Sequence, residues 1–202
     1  MLSTDGGASW NWAPPPLRHT WKCRIGVVNA TTLLRGQAKK DTGNSEQAPG
    51  IYLSTTLGQA WTKVADYTLT GYVPTHYGPN LYWAAKEGVV VSRDGGKTWS
   101  VCGSSPTDVT AGPYFGTNEQ EMVVVVLAGT KTGYHLTRDG GKTWTVVPYW
   151  QPPDGWGVIK NPNSYGWDAA KNILYASRMG GNVWKLQLGA TPAAGAAKGG
   201  QK

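Results

Sequence analysis

The sequence predicts an all-β protein of short antiparallel strands, and three observations support this class. Aromatic residues are frequent, with 11 Trp and 10 Tyr against a single Phe, and they occur among many β-branched residues, which favour strands. The 28 Gly and 13 Pro supply turn formers at short intervals. An eight-residue phrase also recurs along the chain. The 202 residues are enough for one domain with a sizeable core.

The recurring phrase reads SRDGGKTW at residues 92–99 and TRDGGKTW at residues 137–144. An earlier copy, STDGGASW, occupies residues 3–10, and a degenerate copy, STTLGQAW, occupies residues 54–61 with Thr56 in place of the aspartate. The closing tryptophans are separated by 51, 38 and 45 residues. This spacing suits a repeating unit of four short strands.

Each copy has the composition of a tight hairpin turn. The strand-like segments GVVVS and GYHLT precede the second and third complete copies. The aspartate can accept hydrogen bonds from backbone N–H groups of the turn, and the paired glycines adopt backbone angles closed to other residues. The tryptophan then places a large ring against a neighbouring sheet. We therefore assign a structural role to Asp5, Trp10, Asp94, Trp99, Asp139 and Trp144.

The pattern S/T-x-D-x-G-x-T/S-W resembles the Asp-box, or BNR repeat, of sialidase-like β-propellers, and the resemblance covers nearly all of residues 1–188. It implies a β-propeller of four-stranded antiparallel blades, of which about four are visible. It also places the Asp-box between the third and fourth strands of a blade, on the face away from the ligand. Residues 189–202, rich in Ala, Gly and Lys, are expected to form a flexible tail.

The ends of the predicted propeller do not match cleanly. The chain opens at a turn between third and fourth strands and closes after a third strand. Three arrangements stay open. The segment ASWNW can close a four-bladed ring beside VWKLQL, the chain can be the C-terminal part of a larger propeller, or another copy or another chain can complete the ring. An unclosed propeller would leave exposed edge strands, which favour unwanted pairing.

The resemblance places a ligand on the face formed by the connections between blades and by the hairpins between second and third strands. These connections are rich in aromatic rings, which can stack on the apolar faces of sugars or, alternatively, only stiffen the loops. The aromatic candidates are Trp12, Tyr72, Tyr77, Tyr114, Trp150 and Trp156. The polar candidates on the connections are Arg18, His19, His76, Asp108, Asp154 and Asp168, and those on the hairpins are Lys86, Glu87, Lys131 and Arg178. Asp108 and Asp154 are the candidates for catalysis, although most turn carboxylates only bond the local backbone.

Sialidase activity is not expected from this chain alone. The resemblance requires three arginines that grip the substrate carboxylate, but two of the six arginines, Arg93 and Arg138, lie inside Asp-boxes. The phrase CRIGVV also has Gly26 where the family has proline. We therefore expect a non-catalytic module that binds a glycan or another protein chain and needs no cofactor. The alternatives are a glycosidase, whose catalytic residues lie on the loop face or in a missing half, and a structural subunit of a larger assembly.

The charge, the cysteines, the histidines and the apolar runs limit the partners, the metal sites and the location that we expect for this protein. The net charge of +7 is scattered, so we expect no nucleic-acid partner. Cys23 and Cys102 stand outside any CxxC motif, which argues against a cysteine-rich zinc site and leaves open a disulfide or two free thiols. The three histidines lack the spacing of metal ligands, so no metal is expected. No apolar run approaches the ~18 residues of a membrane span, and the first residues do not form a signal peptide. The resemblance nevertheless predicts a secreted or periplasmic protein.

Overall fold

A computed structural model describes residues 3, 5–10, 23–37, 48–128, 132–147, 164–177 and 183–187. Regular structure in these ranges consists of β-strands. The strands are β1 (Cys23–Val27), β2 (Leu33–Gln37), β3 (Gly50–Ser54), β4 (Thr62–Ala65), β5 (Thr75–Tyr77), β6 (Asn80–Ala85), β7 (Gly88–Ser92), β8 (Ser100–Val101), β9 (Val109–Phe115), β10 (Met122–Val126), β11 (Gly133–Thr137), β12 (Thr145–Val147), β13 (Ser164–Asp168), β14 (Ile173–Ser177) and β15 (Val183–Gln187).

The strands form successive antiparallel sheets in sequence order, which confirms the predicted β-propeller architecture. Blade 1 contains β1–β4, blade 2 contains β5–β8, and blade 3 contains β9–β12. In the described part of blade 4, β13, β14 and β15 pair in that order. Each sheet is built from consecutive hairpins, because antiparallel neighbours can be joined by short turns.

Both faces of blade 2 are buried, and its sequence shows why. Central strands β6 and β7 read NLYWAA and GVVVS, nearly continuous apolar runs rather than an alternation of apolar and polar residues. A sheet covered on both faces requires such runs. The side chains that pack toward Leu34 and Ile51 of blade 1 are Leu81, Trp83, Ala85 and Val90. Those that pack toward Val109, Met122 and Val124 of blade 3 are Tyr82, Ala84, Val89 and Val91.

The Asp-box of blade 2 is a hairpin turn between β7 and β8. Asp94 Oδ1 accepts hydrogen bonds from the Ser92 hydroxyl at 2.8 Å and the Thr98 N–H at 2.9 Å, and Oδ2 accepts the Thr98 hydroxyl at 2.6 Å. The indole N–H of Trp99 donates to the Gly96 carbonyl at 2.9 Å. The carboxylate therefore ties the start of the turn to its end. Asp5 and Asp139 bond in the same way to the residues two before and four after them.

Asp-box turns also contact the preceding blade. The Gly141 carbonyl of blade 3 accepts the Ser104 N–H at 2.8 Å, and the Cys102 thiol lies 3.4 Å from the Gly140 carbonyl. Cys102 is buried and carries a free thiol, so it forms no disulfide here. The repeated turn thus serves two purposes, since it closes a hairpin and spaces adjacent blades.

The first strands of successive blades lie next to one another. His76 of β5 bonds the Val27 carbonyl of β1 through Nε2 at 2.9 Å. Further along, the Tyr77 ring lies 4.8 Å from Phe115 at the end of β9. Outer strands β4, β8 and β12 pair within their own sheets. The first strands therefore line the inner rim of the described arc, where a ligand can reach several blades at once.

Candidate functional site

The order of the strands defines two faces of the arc. Because neighbouring strands are antiparallel, the turns after the first and third strands lie at one edge of each sheet, and the connections after the second and fourth strands lie at the other. The Asp-boxes occupy the first edge. The described part of the second edge includes residues 66–74, which join β4 to β5, and residues 86–87, which join β6 to β7.

The β4–β5 connection is anchored to three blades through Thr70. Its N–H donates to the Ala84 carbonyl of blade 2 at 3.0 Å, and its carbonyl accepts Arg24 Nη2 of blade 1 at 3.0 Å. Its hydroxyl donates to the Val109 carbonyl of blade 3. The indole N–H of Trp83 also donates to the Gly71 carbonyl at 3.1 Å. Thr70 therefore holds this segment in place through its backbone and its hydroxyl, and the residues that follow extend from a fixed support.

The anchored segment displays apolar side chains to solvent. Tyr72 is 82% exposed and Val73 is 59% exposed. On the adjacent strand β1, Ile25 is 51% exposed and Val27 is 59% exposed, and the Arg24 guanidinium lies 5.6 Å from the centre of the Tyr72 ring. We call Arg24, Ile25, Val27, Tyr72 and Val73 the inner-rim surface. Exposed apolar groups on a rigid base are typical of recognition sites.

Gly26 allows β1 and the connection to approach closely. A Cβ atom at this position would overlap the Pro74 ring. The glycine that stands where the sialidase-like family has proline therefore has a local packing role, because it lets Pro74 lie directly against β1. This contact holds the β4–β5 connection against β1, where Tyr72 lies beside Arg24.

His76, a predicted ligand residue, borders the inner-rim surface. Its side chain is exposed on β5 and bonds the Val27 carbonyl. Because a carbonyl only accepts hydrogen bonds, Nε2 carries the hydrogen in this contact. We expected His76 on a connection between blades, and the structure instead places it in a strand that pairs with β6.

Two predicted aromatic candidates pack between blades. The Tyr77 ring lies against Phe115, and the Tyr114 ring lies 6.1 Å from Tyr165 and 6.3 Å from Trp167. Burial raises the pKa of Tyr114 above its ordinary value. Tyr77 and Tyr114 belong to β5 and β9 rather than to the connections where we expected them, because the strands begin earlier than the turn-rich sequence indicates. Both are therefore half-buried by neighbouring rings.

Asp108 precedes β9 in a left-handed backbone conformation, with φ at 58°. Its N–H donates to the Lys86 carbonyl at 2.7 Å, which joins two parts of the connection face. Several other predicted residues lie outside the described part of the chain. They are Trp12, Arg18, His19, Lys131, Trp150, Asp154, Trp156 and Arg178.

Nearly all carboxylates in the described ranges have structural partners. Three hold Asp-box turns, and Glu121 pairs with Arg138 at 3.3 Å. Glu119 accepts hydrogen bonds from Tyr82 and Asn80, and the Tyr82 hydroxyl holds the pKa of Glu119 below its ordinary value. The others are Asp66 with Lys63, Glu87 with the Thr68 N–H, and Asp168 with Lys171.

Glycoside hydrolysis usually requires two carboxyl groups facing one another across the substrate. Among the described residues, Asp108 is the one whose carboxylate has neither a hydrogen bond nor an ion pair of this kind. The described residues also include no group of three or more His, Cys, Asp or Glu side chains placed to hold a metal ion. No helix in these ranges is long and apolar enough to cross a membrane.

Sequence reasoning identified Tyr72 and His76 but not Arg24, Ile25, Val27 and Val73. The signal for the two β1 residues is an alternation in CRIGV, where Ile25 and Val27 share one face of the strand. The alternation alone predicts a buried face. Only the arrangement of the first strands shows that this face is open.

Comparisons with known proteins agree with this architecture. The model of the BNR/Asp-box repeat matches residues 90–101. YCF48 bound to D1 peptide is 13% identical with a TM-score of 0.51, and the match covers 83% of this chain and 50% of that one. The GH74 xyloglucanase of Xanthomonas campestris is 17% identical with a TM-score of 0.52, covering 81% and 29%. The GH74 enzyme of Niastella koreensis is 19% identical with a TM-score of 0.53, covering 82% and 28%.

These similarities concern the fold, because the identities are low. The chain spans half the length of the YCF48 chain and less than a third of each GH74 chain. No curated protein sequence matches it.

Proposed function

Because the chain is an Asp-box protein with the β-propeller fold, we propose that it is a non-catalytic module that binds a segment of another protein at the inner-rim surface. The observation that carries the proposal is the β4–β5 connection. Thr70 in this connection is hydrogen-bonded to three blades through its backbone and its hydroxyl, yet the connection leaves Tyr72 and Val73 largely exposed. A segment whose backbone is already fixed loses little backbone entropy on binding, which favours affinity.

A protein ligand fits this surface better than a glycan. Three of its four exposed apolar residues are aliphatic, namely Ile25, Val27 and Val73. Sugar recognition instead relies on aromatic platforms with several polar groups beside them. Tyr72 is the one aromatic ring of the surface, and Arg24 lies over it. The solved complex of YCF48 with a D1 peptide supports the proposal at the level of the fold, since a related architecture accommodates a peptide.

The enzymatic alternative is a glycosidase, and the GH74 enzymes share the fold. The described carboxylates weigh against it, because eight of the nine bond structural partners. The structural alternative is completion of the ring by another copy or another chain. The core clusters of the described residues join blades 1 to 2, 2 to 3 and 3 to 4, which leaves this alternative in place. A secreted or periplasmic location stays a prediction.

The test is a selection of random linear peptides displayed on phage, followed by binding measurements on purified protein. Tyr72→Ala is expected to weaken the selected peptides by about tenfold, which corresponds to roughly 1.4 kcal/mol for a contact at an interface centre. Val146→Ala is the matched control, because Val146 is 53% exposed on the outer strand β12. A parallel glycan array and an assay with aryl glycosides complete the experiment. Glycan binding lost in Tyr72→Ala, or hydrolysis lost in Asp108→Asn, would overturn the proposal.

A further inference from the structure

Asp108 lies where three segments of the connection face meet. The β6–β7 turn contacts the β4–β5 connection, because the Lys86 N–H donates to the Thr68 carbonyl at 2.9 Å and the Thr68 N–H donates to the Glu87 carboxylate at 3.0 Å. The β8–β9 connection contacts the β6–β7 turn through the Asp108 N–H, which donates to the Lys86 carbonyl at 2.7 Å. The backbone of Asp108 is therefore fixed beside the segment that displays Tyr72.

A second contact limits the distance from Asp108 to the inner-rim surface. The Val109 carbonyl accepts the Thr70 hydroxyl, and Tyr72 follows Thr70 by two residues. Standard backbone dimensions then limit the separation of the Asp108 and Tyr72 Cα atoms to roughly 18 Å. An extended segment of about six residues spans this distance. One short linear ligand can therefore contact Tyr72 and Asp108 together.

The Asp108 carboxylate has no partner within the described ranges. The other eight described carboxylates accept hydrogen bonds or form ion pairs, whereas that of Asp108 does neither. Lys86, whose carbonyl bonds the Asp108 N–H, also forms no ion pair with a described carboxylate. The Asp108 side chain is only half-buried, so a ligand can reach it. Its negative charge is therefore available to a cation.

The net charge of +7 does not oppose a cation at this position. Exposed charges are largely screened beyond about 8 Å at physiological ionic strength, so distant basic residues contribute little. The carboxylates of Asp108 and Glu87 outnumber the ammonium of Lys86 where the three segments meet. The Arg24 guanidinium lies over the Tyr72 ring instead. A ligand cation is therefore favoured at the Asp108 end of the surface, and apolar side chains are favoured at the Tyr72 end.

We propose that Asp108 is a specificity-determining residue, which selects linear protein segments that carry a Lys or Arg side chain within about six residues of an apolar anchor. This inference rests on the proposed function and specifies the chemistry of its ligand. The apolar side chains of the segment cover Tyr72 and Val73, and its cation pairs with the Asp108 carboxylate. A charge pair at the rim of an interface acts mainly on partner choice and association rate, whereas buried apolar contacts supply most of the affinity.

The experiment selects peptides in parallel on the unaltered protein, on Asp108→Asn and on Asp66→Asn. The probe is a phage library of random linear peptides of about twelve residues, twice the required span. Asparagine has the shape of aspartate and also tolerates the left-handed backbone of residue 108, so Asp108→Asn changes little besides the charge. Asp66→Asn is the matched control, because it removes an equal charge from the β4–β5 connection and its carboxylate already pairs with Lys63. Thermal unfolding verifies that each protein is folded.

Basic residues are the expected signature of the selected peptides. Lys and Arg should be enriched about threefold or more on the unaltered protein and on Asp66→Asn, and they should not be enriched on Asp108→Asn. A selected peptide resynthesised with Gln in place of its basic residue should bind the unaltered protein about threefold to fivefold more weakly, as for a partly exposed ion pair. The same replacement should leave binding to Asp108→Asn unchanged.

The outcomes separate this inference from the proposed function. Absence of basic enrichment on the unaltered protein, or equal enrichment on Asp108→Asn, overturns the role of Asp108. Enrichment that is lost equally on Asp66→Asn indicates a general effect of charge and overturns it as well. If the selected peptides still lose affinity in Tyr72→Ala, the binding function stands and only the proposed ligand chemistry falls. If no selected peptide requires Tyr72, the proposed function fails, and the inference fails with it.

Discussion

The turns at residues 92–99 and at residues 54–61 have similar backbone paths, but different side chains stabilise them. In both, the first hydroxyl accepts the N–H four residues later, at 2.8 Å for Ser92 and 2.9 Å for Ser54. In both, the closing indole donates to a glycine carbonyl, at 2.9 Å for Trp99 and 3.0 Å for Trp61. These shared contacts involve the two ends of the phrase.

The middles of the two turns differ. The Asp94 carboxylate accepts hydrogen bonds with both oxygens, whereas the Thr56 hydroxyl accepts the Ala60 N–H at 2.9 Å and contacts Ser54. At the next position Gly95 has φ at 73°, and Leu57 adopts a similar φ of 52°, which is unfavourable for a leucine. The comparison indicates that the serine, the tryptophan and the strand pairing determine the path, while aspartate and glycine stabilise it.

The largest difference is expected when a Cβ atom is added to the second glycine of each turn. Gly96→Ala should destabilise the protein by about 3 kcal/mol, because φ is 91° and the new Cβ would lie 2.9 Å from Leu34 Cδ2 of blade 1. Gly58→Ala should cost about 1–2 kcal/mol, since φ is 83° but the nearest side-chain atom lies 3.6 Å away. Denaturant unfolding measures both. Equal costs would show that the Asp-box of blade 2 does not act as a spacer between blades.

A smaller effect of opposite sign is expected at Leu57. Leu57→Gly should stabilise the protein by about 0.5–1 kcal/mol, because glycine adopts the left-handed conformation without strain. Leu57→Ala serves as the matched control, since it removes the same side chain and keeps the unfavourable backbone. Differential scanning calorimetry compares the two variants. A melting temperature that rises equally in both would attribute the gain to the side chain and contradict the argument from φ.

The smallest expected effect concerns acid stability. The Thr143 hydroxyl and N–H, followed by the Thr137 hydroxyl, hold the pKa of Asp139 at about 2, below the ordinary 3.8. A lowered pKa in the folded state contributes stability above pH 3.8, and this contribution decreases as the pH falls from there toward 2. Asp139→Asn should therefore flatten the loss of stability in this window. The degenerate turn lacks the titrating group, so Thr56→Ser should leave the pH profile unchanged, as unfolding at a series of pH values would reveal.

Much of the fold could be predicted from local patterns. The copies of the phrase indicated hairpins, and the apolar runs before them indicated central strands, because both signals lie within a few consecutive residues. The strand-like segments GVVVS and GYHLT are confirmed as β7 and β11. The boundaries of β5 and β9 were less predictable, since His76 and Tyr114 stand among prolines and glycines that indicate loops. Their pairing depends on partners elsewhere in the blade.

The candidate site was accessible to sequence reasoning only in part. Tyr72 was recognised because it is aromatic and lies on a connection between blades. Ile25 and Val27 resemble ordinary core residues in sequence, and their exposure depends on how the blades pack. Thr70 gave no signal at all, because its role consists of contacts with three separate blades.

The amino-acid sequence by itself determined the repeating hairpin, since an aspartate, paired glycines and a tryptophan at fixed spacing interact within one turn. The tertiary structure decided which side chains of β1 and of the β4–β5 connection are exposed. The physical reason is the separation along the chain between the residues that interact. Turn chemistry is local, whereas the position of Tyr72 beside Arg24 and the contact of His76 with the Val27 carbonyl join residues about fifty positions apart.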